Sequence, residues 1–414
     1  MRLSTLSIGD ELLCGEQLDS NACHIAGRVY DAGSRVLRHL TVGDDEESIV
    51  LALRELASTS EAVIVTGGLG PTPDDLTTAA ASRAAGSELE LSSEALAHLS
   101  SFAARISGGL HPANRRQALL PKAASLIPNP LGTACGFTLE LSGCRLFFLP
   151  GVPAEMKRML EDTVLPALAG REKGGGVRVT LKIFGISEAA AAARLEGCLP
   201  FGSPVELAYC VKFPEIQLIL RCQAEHAGRL TAAAVAVRER LGAYIFAQND
   251  ETMDSVLCSL FKSSGLSLAL AESCTGGMIA ARITGQPGCS AYFLEGAVTY
   301  SNQAKTRLLQ VPAELIEAKG AVSLEVARAM AIGARRAAGS DLALSVTGIA
   351  GPDGGTPDKP VGTVFLALAD SFGCRVHSYS FPGDRSEVRS ITCFTALDLL
   401  RRHLLALHGA SSRD

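Results

Sequence analysis

The chain has 414 residues, 47% of them apolar and 20% charged, a balance that describes a soluble globular protein and excludes a disordered one. A net charge of −5 gives no electrostatic pull towards nucleic acid or an anionic membrane, and no apolar run approaches the ~18–20 residues of a membrane span. No basic-then-apolar leader opens the sequence, so a cytoplasmic location is expected, and at roughly 150 residues per domain the length suggests two or three domains.

In chain order, Leu3–Ile8, Ala62–Thr66 and Cys144–Leu149 read as short strands ending at Gly or Pro, and Ile49, Val50, Leu53 and Leu56 mark a helical stripe between them. This alternation over residues 1–169 predicts an α/β domain, its largely parallel sheet covered by helices and its ligands at the carboxyl ends of the strands. The stretch Gly170-Arg-Glu-Lys-Gly-Gly-Gly176 is the clearest linker. Residues 170–250 then follow a β-α-β-β-α order: strand Val177–Phe184, helix Ser187–Leu199, strands Val205–Phe213 and Ile216–Cys222, and helix His226–Leu241. An RNA-binding KH module shares part of that pattern, but residues 177–250 hold eight Lys/Arg against seven Asp/Glu and no GxxG between helices. The segment is read as a small α+β spacer or dimerisation module.

Residues 251–414 begin with helix Met253–Ser263 and strand Leu266–Ala271, with a helix from about Thr275. Helix Ser323–Ala338, strand Leu342–Thr347, the loop Gly348–Gly355, a hairpin of Val361–Ala369 with Cys374–Phe381, and a helix over Ser386–Leu407 complete an α/β domain with an antiparallel component. The twelve cysteines are scattered singly, with no CxxC pair, and read as reduced and mostly buried. Cys274 and Cys289 flank serines, yet no nearby histidine offers to make a thiolate; the eight histidines are dispersed and take no role.

The strongest chemical signal lies in Glu272-Ser273-Cys-Thr275-Gly276-Gly277, Cys289-Ser290 and Val298-Thr-Tyr300-Ser-Asn-Gln-Ala-Lys305. Nucleophilic acyl chemistry needs a hydroxyl, a base to take its proton and donors for the oxyanion. With Lys305 as base, its reference pKa of about 10.4 must fall by roughly three units, about 4 kcal/mol of differential interaction. A lone Ser or Lys is usually structural, so the weight lies in the cluster.

Near the amino end, Thr66-Gly67-Gly68-Leu-Gly70-Pro-Thr72-Pro-Asp74-Asp75-Leu-Thr77 sits where a strand gives way to a helix. Glycines let backbone approach an oxyanion closely, and a helix start aims free N–H groups at it. Thr72 with Asp75 three residues on matches a capping box, although Asp at the third position departs from the usual Glu or Gln. Asp74 and Asp75 either favour the helix dipole or hold a hard divalent cation that bridges a phosphate; spacing alone does not decide. Gly9-Asp10-Glu11 is a second acidic turn that could face the same crevice.

Ile8-Gly-Asp-Glu-Leu-Leu, Gly67-Gly-Leu-Gly-Pro-Thr-x-Asp-Asp-x-Thr77, Asn129-x-x-Gly-Thr-Ala134 and Pro150-Gly-Val-Pro-x-Glu-Met156 resemble the first domain of the CinA (competence/damage-inducible protein) family. The strings around Ser273 and Tyr300, with Gly320-Ala-Val-Ser323, Thr347-Gly-Ile-Ala-Gly-Pro-Asp-Gly-Gly355 and Lys359-Pro-Val-Gly-Thr363, are similar to the family's C-terminal domain. The resemblance implies a molybdopterin-binding-like three-layer α/β domain, a small KH-like α+β domain and a C-terminal α/β domain with a mixed sheet. It implies a nicotinamide mononucleotide deamidase with Ser290, Ser273 and Lys305 as catalytic group, Ser290 slightly favoured as nucleophile, and Tyr300 lining the ring or the amide. Thr275, Gly276 and Gly277, or Thr347 and Gly348, would hold the phosphate, with Arg385 as a bidentate partner. For the first domain it implies metal-dependent hydrolysis of ADP-ribose, with Gly67, Gly68, Gly70, Thr72 and Thr77 at the nucleotide and a divalent ion near Asp74, Asp75 and Asp10. A homodimer is expected from the family. The competing reading is a nucleotide- or pterin-binding regulatory protein tied to competence or DNA damage, with one or both sites non-catalytic.

Overall fold

The computed structural model describes residues 1–105, 109–169 and 176–411, so the linker lies, save Gly176, outside the described residues. The chain divides into two compact units, Met1–Arg178 with Cys222–Ala227, and Val179–Arg221 with Gly228–Asp414. Among the described residues no helix is long and apolar enough to cross a membrane.

The first unit contains β1 (Leu3–Ile8), β2 (Val36–Val42), β3 (Ala62–Thr66), β4 (Leu89–Leu91), β5 (Leu119–Pro121), β6 (Ser125–Ile127), β7 (Gly136–Leu141) and β8 (Cys144–Leu149). Six form one sheet in the order β2-β1-β3-β8-β7-β6, parallel from β2 to β8 and antiparallel beyond. Side chains alternate across the strands, so Val63 and Val65 join one core with Ile49, Leu53 and Leu56 of helix Glu46–Thr59. Ala62 and Ile64 join the opposite core with Ile25, Val29, Met156 and Met159 from helices Ser20–Asp31 and Pro153–Met159. The result is three layers. Strand order reverses between β1 and β3, which opens a crevice at their carboxyl ends.

The middle strands β9 (Gly176–Ile183), β10 (Glu206–Lys212), β11 (Glu215–Gln223) and β12 (Ile245–Gln248) form a sheet ordered β10-β11-β9-β12. β12 is an addition to the β-α-β-β-α reading; it pairs antiparallel with β9. Helix Glu188–Leu195 is shorter than expected, because Glu196 leaves the helical conformation.

Further along lie β13 (Leu268–Glu272), β14 (Phe293–Val298), β15 (Leu342–Gly348), β16 (Thr363–Ala369) and β17 (Cys374–Ser380), in the order β14-β13-β15-β16-β17. β13 runs parallel to both neighbours, and β15–β16–β17 is antiparallel, so the sheet is mixed. Its leucine face, with Leu268, Leu270, Leu344 and Leu366, packs on helix Met253–Ser264 and the C-terminal helix Arg385–Ser411. The alanine face, with Ala269, Ala271 and Ala343, takes Val326, Met330 and Ala334 of helix Leu324–Ala338. Order again reverses at β13, between β14 and β15, and marks a second place for a ligand.

Candidate functional site

At the carboxyl ends of β1, β3 and β8 lies a crevice of about 570 Å³, lined by Gly9, Gly67, Gly68, Gly70, Asp44, Asp74 and Asp75 among others. Gly67 and Gly68 have φ of 103° and 67°, and a Cβ would drive Gly67 into the Ile8 carbonyl and Gly68 into the Thr77 hydroxyl. Thr77 itself is fully buried and donates to the Gly67 carbonyl at 2.9 Å. It ties the turn from behind and does not face the crevice as a nucleotide contact.

The capping-box expectation is corrected. The helix starts at Thr77, not after Thr72. Asp75 instead closes a local turn, accepting from the Thr72 N–H at 2.8 Å and hydroxyl at 2.5 Å. Asp10 is likewise committed: its carboxylate accepts from the Asp44 N–H at 3.1 Å, while the Asp44 carboxylate accepts from the Asp10 N–H at 2.9 Å. Burial, then the charges of Asp10, Glu11 and Asp74, push the Asp44 carboxyl above its ordinary value, although the Asp10 N–H opposes them. These acids therefore share one electrostatic environment, which a cation would relieve. Among the described residues, however, no three His, Cys, Asp or Glu side chains converge as a ready cage. The donor set fits a hard ion that keeps water or phosphate oxygens as its remaining ligands.

Asp44 was not singled out by the sequence, nor was the job of Asn129. That fully buried amide accepts from the Leu131 and Gly132 N–H groups, and donates to the Ala134 carbonyl at 2.9 Å and to Glu155 at 2.7 Å. It shapes the Thr133–Ala134 wall and aims Glu155 at the crevice.

The second site sits at the carboxyl ends of β13 and β14. Ser301 caps helix Asn302–Leu309, accepting from the Ala304 N–H at 3.1 Å. Helical side chains lean towards the N-terminus, so Lys305 folds back over the end of β14. Its Nζ lies 3.1 Å from Ser273 Oγ, 2.7 Å from the Thr299 carbonyl and 3.5 Å from that of Tyr300. Lys305 is only 1% exposed, and among the described residues no carboxylate forms an ion pair with it. Burial lowers its pKa below the ordinary lysine value, with the Cys274 sulfur pulling weakly the other way. A neutral amine has two N–H donors for the two carbonyls and one lone pair for the Ser273 hydroxyl. Burial also pushes the Cys274 thiol up to about 11, so it is no thiolate nucleophile.

Ser290 is not brought to this site. It lies exposed on the turn Cys289–Ala291 that precedes β14, whereas Ser273 follows β13. Leu268 pairs with Phe293 and Glu272 with Val298 in parallel, so the two serines occupy opposite ends of the sheet. At ~3.3 Å per residue the gap is roughly 17 Å, and within one chain the preference for Ser290 as nucleophile is overturned.

The expected phosphate seat at Thr275-Gly276-Gly277 is corrected at the two glycines, while the buried Thr275 hydroxyl has no partner among the described residues. The fully buried Glu272 turns its carboxylate onto the start of helix Met278–Thr284, accepting from the N–H groups of Gly277 (3.0 Å), Ile279 (3.2 Å) and Ala280 (2.8 Å). The Gly276 N–H is spent on the Ser273 carbonyl. The helix therefore carries its own anion. Thr347 is buried and donates its hydroxyl to the Ala321 carbonyl, so that side chain is committed away from a ligand, while Gly348 stands opposite Val364 at the end of β15. Arg385 and Tyr300 do meet: Arg385 donates to the Tyr300 hydroxyl at 3.0 Å and to the Gly351 carbonyl at 2.6 Å, both at the exposed mouth. Arg389, one helical turn on, was missed; it donates to the Thr275 carbonyl at 2.9 Å and braces the Ser273 turn.

A chain with a molybdopterin-binding-like crevice, a small middle sheet and a mixed-sheet domain holding a buried lysine–serine pair is a composite of three recognisable domains. Residues 4–170 match a probable molybdopterin binding domain, residues 178–247 the damage-inducible protein CinA KH domain, and residues 250–404 the CinA C-terminal domain. The chain is 70% identical over 405 residues to a CinA-like protein of Citrifermentans bemidjiense, covering 98% of each. It is 54% identical over 420 residues to one of Geotalea uraniireducens, covering 100% of each. The chain belongs to the CinA family. Among solved structures it is similar to a competence/damage-inducible protein of Agrobacterium tumefaciens, at 41% identity, a TM-score of 0.35, and coverage of 36% of this chain and 91% of that one.

Proposed function

We propose that the C-terminal domain is an amidohydrolase that converts nicotinamide mononucleotide to nicotinate mononucleotide and ammonia, with Ser273 as nucleophile and Lys305 as base. The observation that carries this reading is the buried Lys305 amine 3.1 Å from the Ser273 hydroxyl, with no carboxylate among the described residues to hold it charged. As Ser273 Oγ attacks the carboxamide carbon, its proton moves to Lys305 Nζ. The lysine returns that proton to the departing nitrogen, which leaves as ammonia, and an acyl-serine remains. A water molecule, relieved of a proton by the same amine, then cleaves the ester to a carboxylate and restores the serine. Arg385, backed by Tyr300, would hold the phosphate. Incubation with the mononucleotide and measurement of ammonia tests the assignment; unaltered turnover in Lys305→Ala would refute it.

For the N-terminal domain we propose divalent-metal hydrolysis of ADP-ribose. The burial of Asp44 among the charges of Asp10, Glu11 and Asp74 supports a cation there, where it would polarise a phosphoryl oxygen. A second reading, pterin or nucleotide binding without turnover, is favoured by the want of a three-residue metal cage among the described residues. Magnesium-dependent cleavage of ADP-ribose decides for hydrolysis; calorimetric binding without product decides for the other.

A further inference from the structure

The second unit contains a cleft of about 610 Å³ that shares no residue with the Ser273 site. That volume falls among ordinary small-molecule pockets, about 300–1,000 Å³. One wall is a ladder of rings. His377 and Tyr379 occupy alternate positions of β17 and Phe381 follows, with centroids 6.4 Å and then 5.3 Å apart, the second pair only 12° from parallel. All three stay half-buried at the margin of the core. Facing residues come from the middle segment, Phe184 to Ser187. At the floor the buried Asp398 is gripped by Arg401 at 2.7 Å and Arg402 at 2.6 Å. Arg401 is buried and also donates to the Ala243 carbonyl, whereas the Arg402 side chain is 40% exposed and presents its guanidinium to the cleft.

Stacked ring faces with a cation at one end complement a planar heterocycle that carries an anion. We propose that this cleft is a mononucleotide-binding site, taking the base against Tyr379 and Phe381 and the phosphate at Arg402. The C-terminal helix links it to the first turn that reaches Ser273: Arg385 and Arg389 touch that site, and Asp398 and Arg402 line this one, roughly 14–25 Å further along at 1.5 Å per residue. The cleft and the amidase centre thus share one helix.

Adenosine monophosphate serves as the probe, in crystals of the full-length protein and by calorimetry. Soaked crystals are expected to show it between Tyr379 and the Phe184–Ser187 loop. Tyr379→Leu, which keeps an apolar side chain but removes the ring, is expected to weaken one binding event about tenfold, and Arg402→Gln to weaken the same event. Nucleotide seen only in the N-terminal crevice or at Ser273, or unchanged calorimetry in both variants, would overturn the proposal. Neither readout uses amide hydrolysis, so this site can fail while the proposed reaction stands.

Discussion

At the scale of single residues, two buried groups decide what the C-terminal domain can do. Lys305 is held below the ordinary lysine pKa by burial. Between that lowered value and 10.5 the unfolded chain binds the proton and the folded chain does not, so stability rises with pH across the window. Denaturation of wild type against Lys305→Met is expected to show this slope only in the wild type. Turnover should fall on the acid side as the amine is protonated, and Lys305→Ala should lose about 10²–10⁴ of kcat, read by ammonia release. Glu272 holds a helix start through three N–H groups. Glu272→Ala is expected to cost about 2–3 kcal/mol in urea unfolding, because charge-assisted bonds are lost and buried donors left unmatched.

At the scale of elements, legibility followed burial. β1 and β3 are buried on both faces and β8 at all but Arg145, so each reads as a short apolar stretch bounded by Gly or Pro, although Ser4, Thr5 and Ser7 interrupt β1. β14 is an edge strand exposing Leu294, Glu295 and Gly296, and no periodicity announces it. Because that strand goes unread, so does its direction, and Ser290 looks adjacent to Ser273 when a whole strand separates them. Glu272 shows a second limit. Gly276-Gly277 before a helix advertises an anion seat, but only the fold reveals that the preceding strand supplies the anion. Asn129 behaves similarly: its residues were recognisable as a string, while its role as the hub of a loop depends on contacts across 26 positions to Glu155. Asn129→Ala should cost at least ~2 kcal/mol by stranding the Leu131 and Gly132 donors, and should weaken ligand binding in the crevice, both measurable by thermal shift with and without ADP-ribose.

At the scale of the whole molecule, the same topological device is used twice: strand order reverses at β1 and again at β13, and a glycine-rich turn follows each reversal. In the first instance acids gather. Asp44, raised by burial and its neighbours, makes the fold lose stability as pH climbs through its folded pKa. Magnesium or manganese should recover that loss, raising Tm in wild type and much less in Asp44→Asn; equal shifts in both would remove the cation from this crevice. In the second instance a base is stripped of water beside a hydroxyl, which is the claim on which the proposed chemistry rests. NMR titration of the Lys305 side chain, with Ser273→Ala as the assignment control, tests it directly. The predicted result is a proton lost below 10.5, with the titration altered in Ser273→Ala. A side chain that stays an ammonium up to its ordinary value, indifferent to Ser273, would contradict the account.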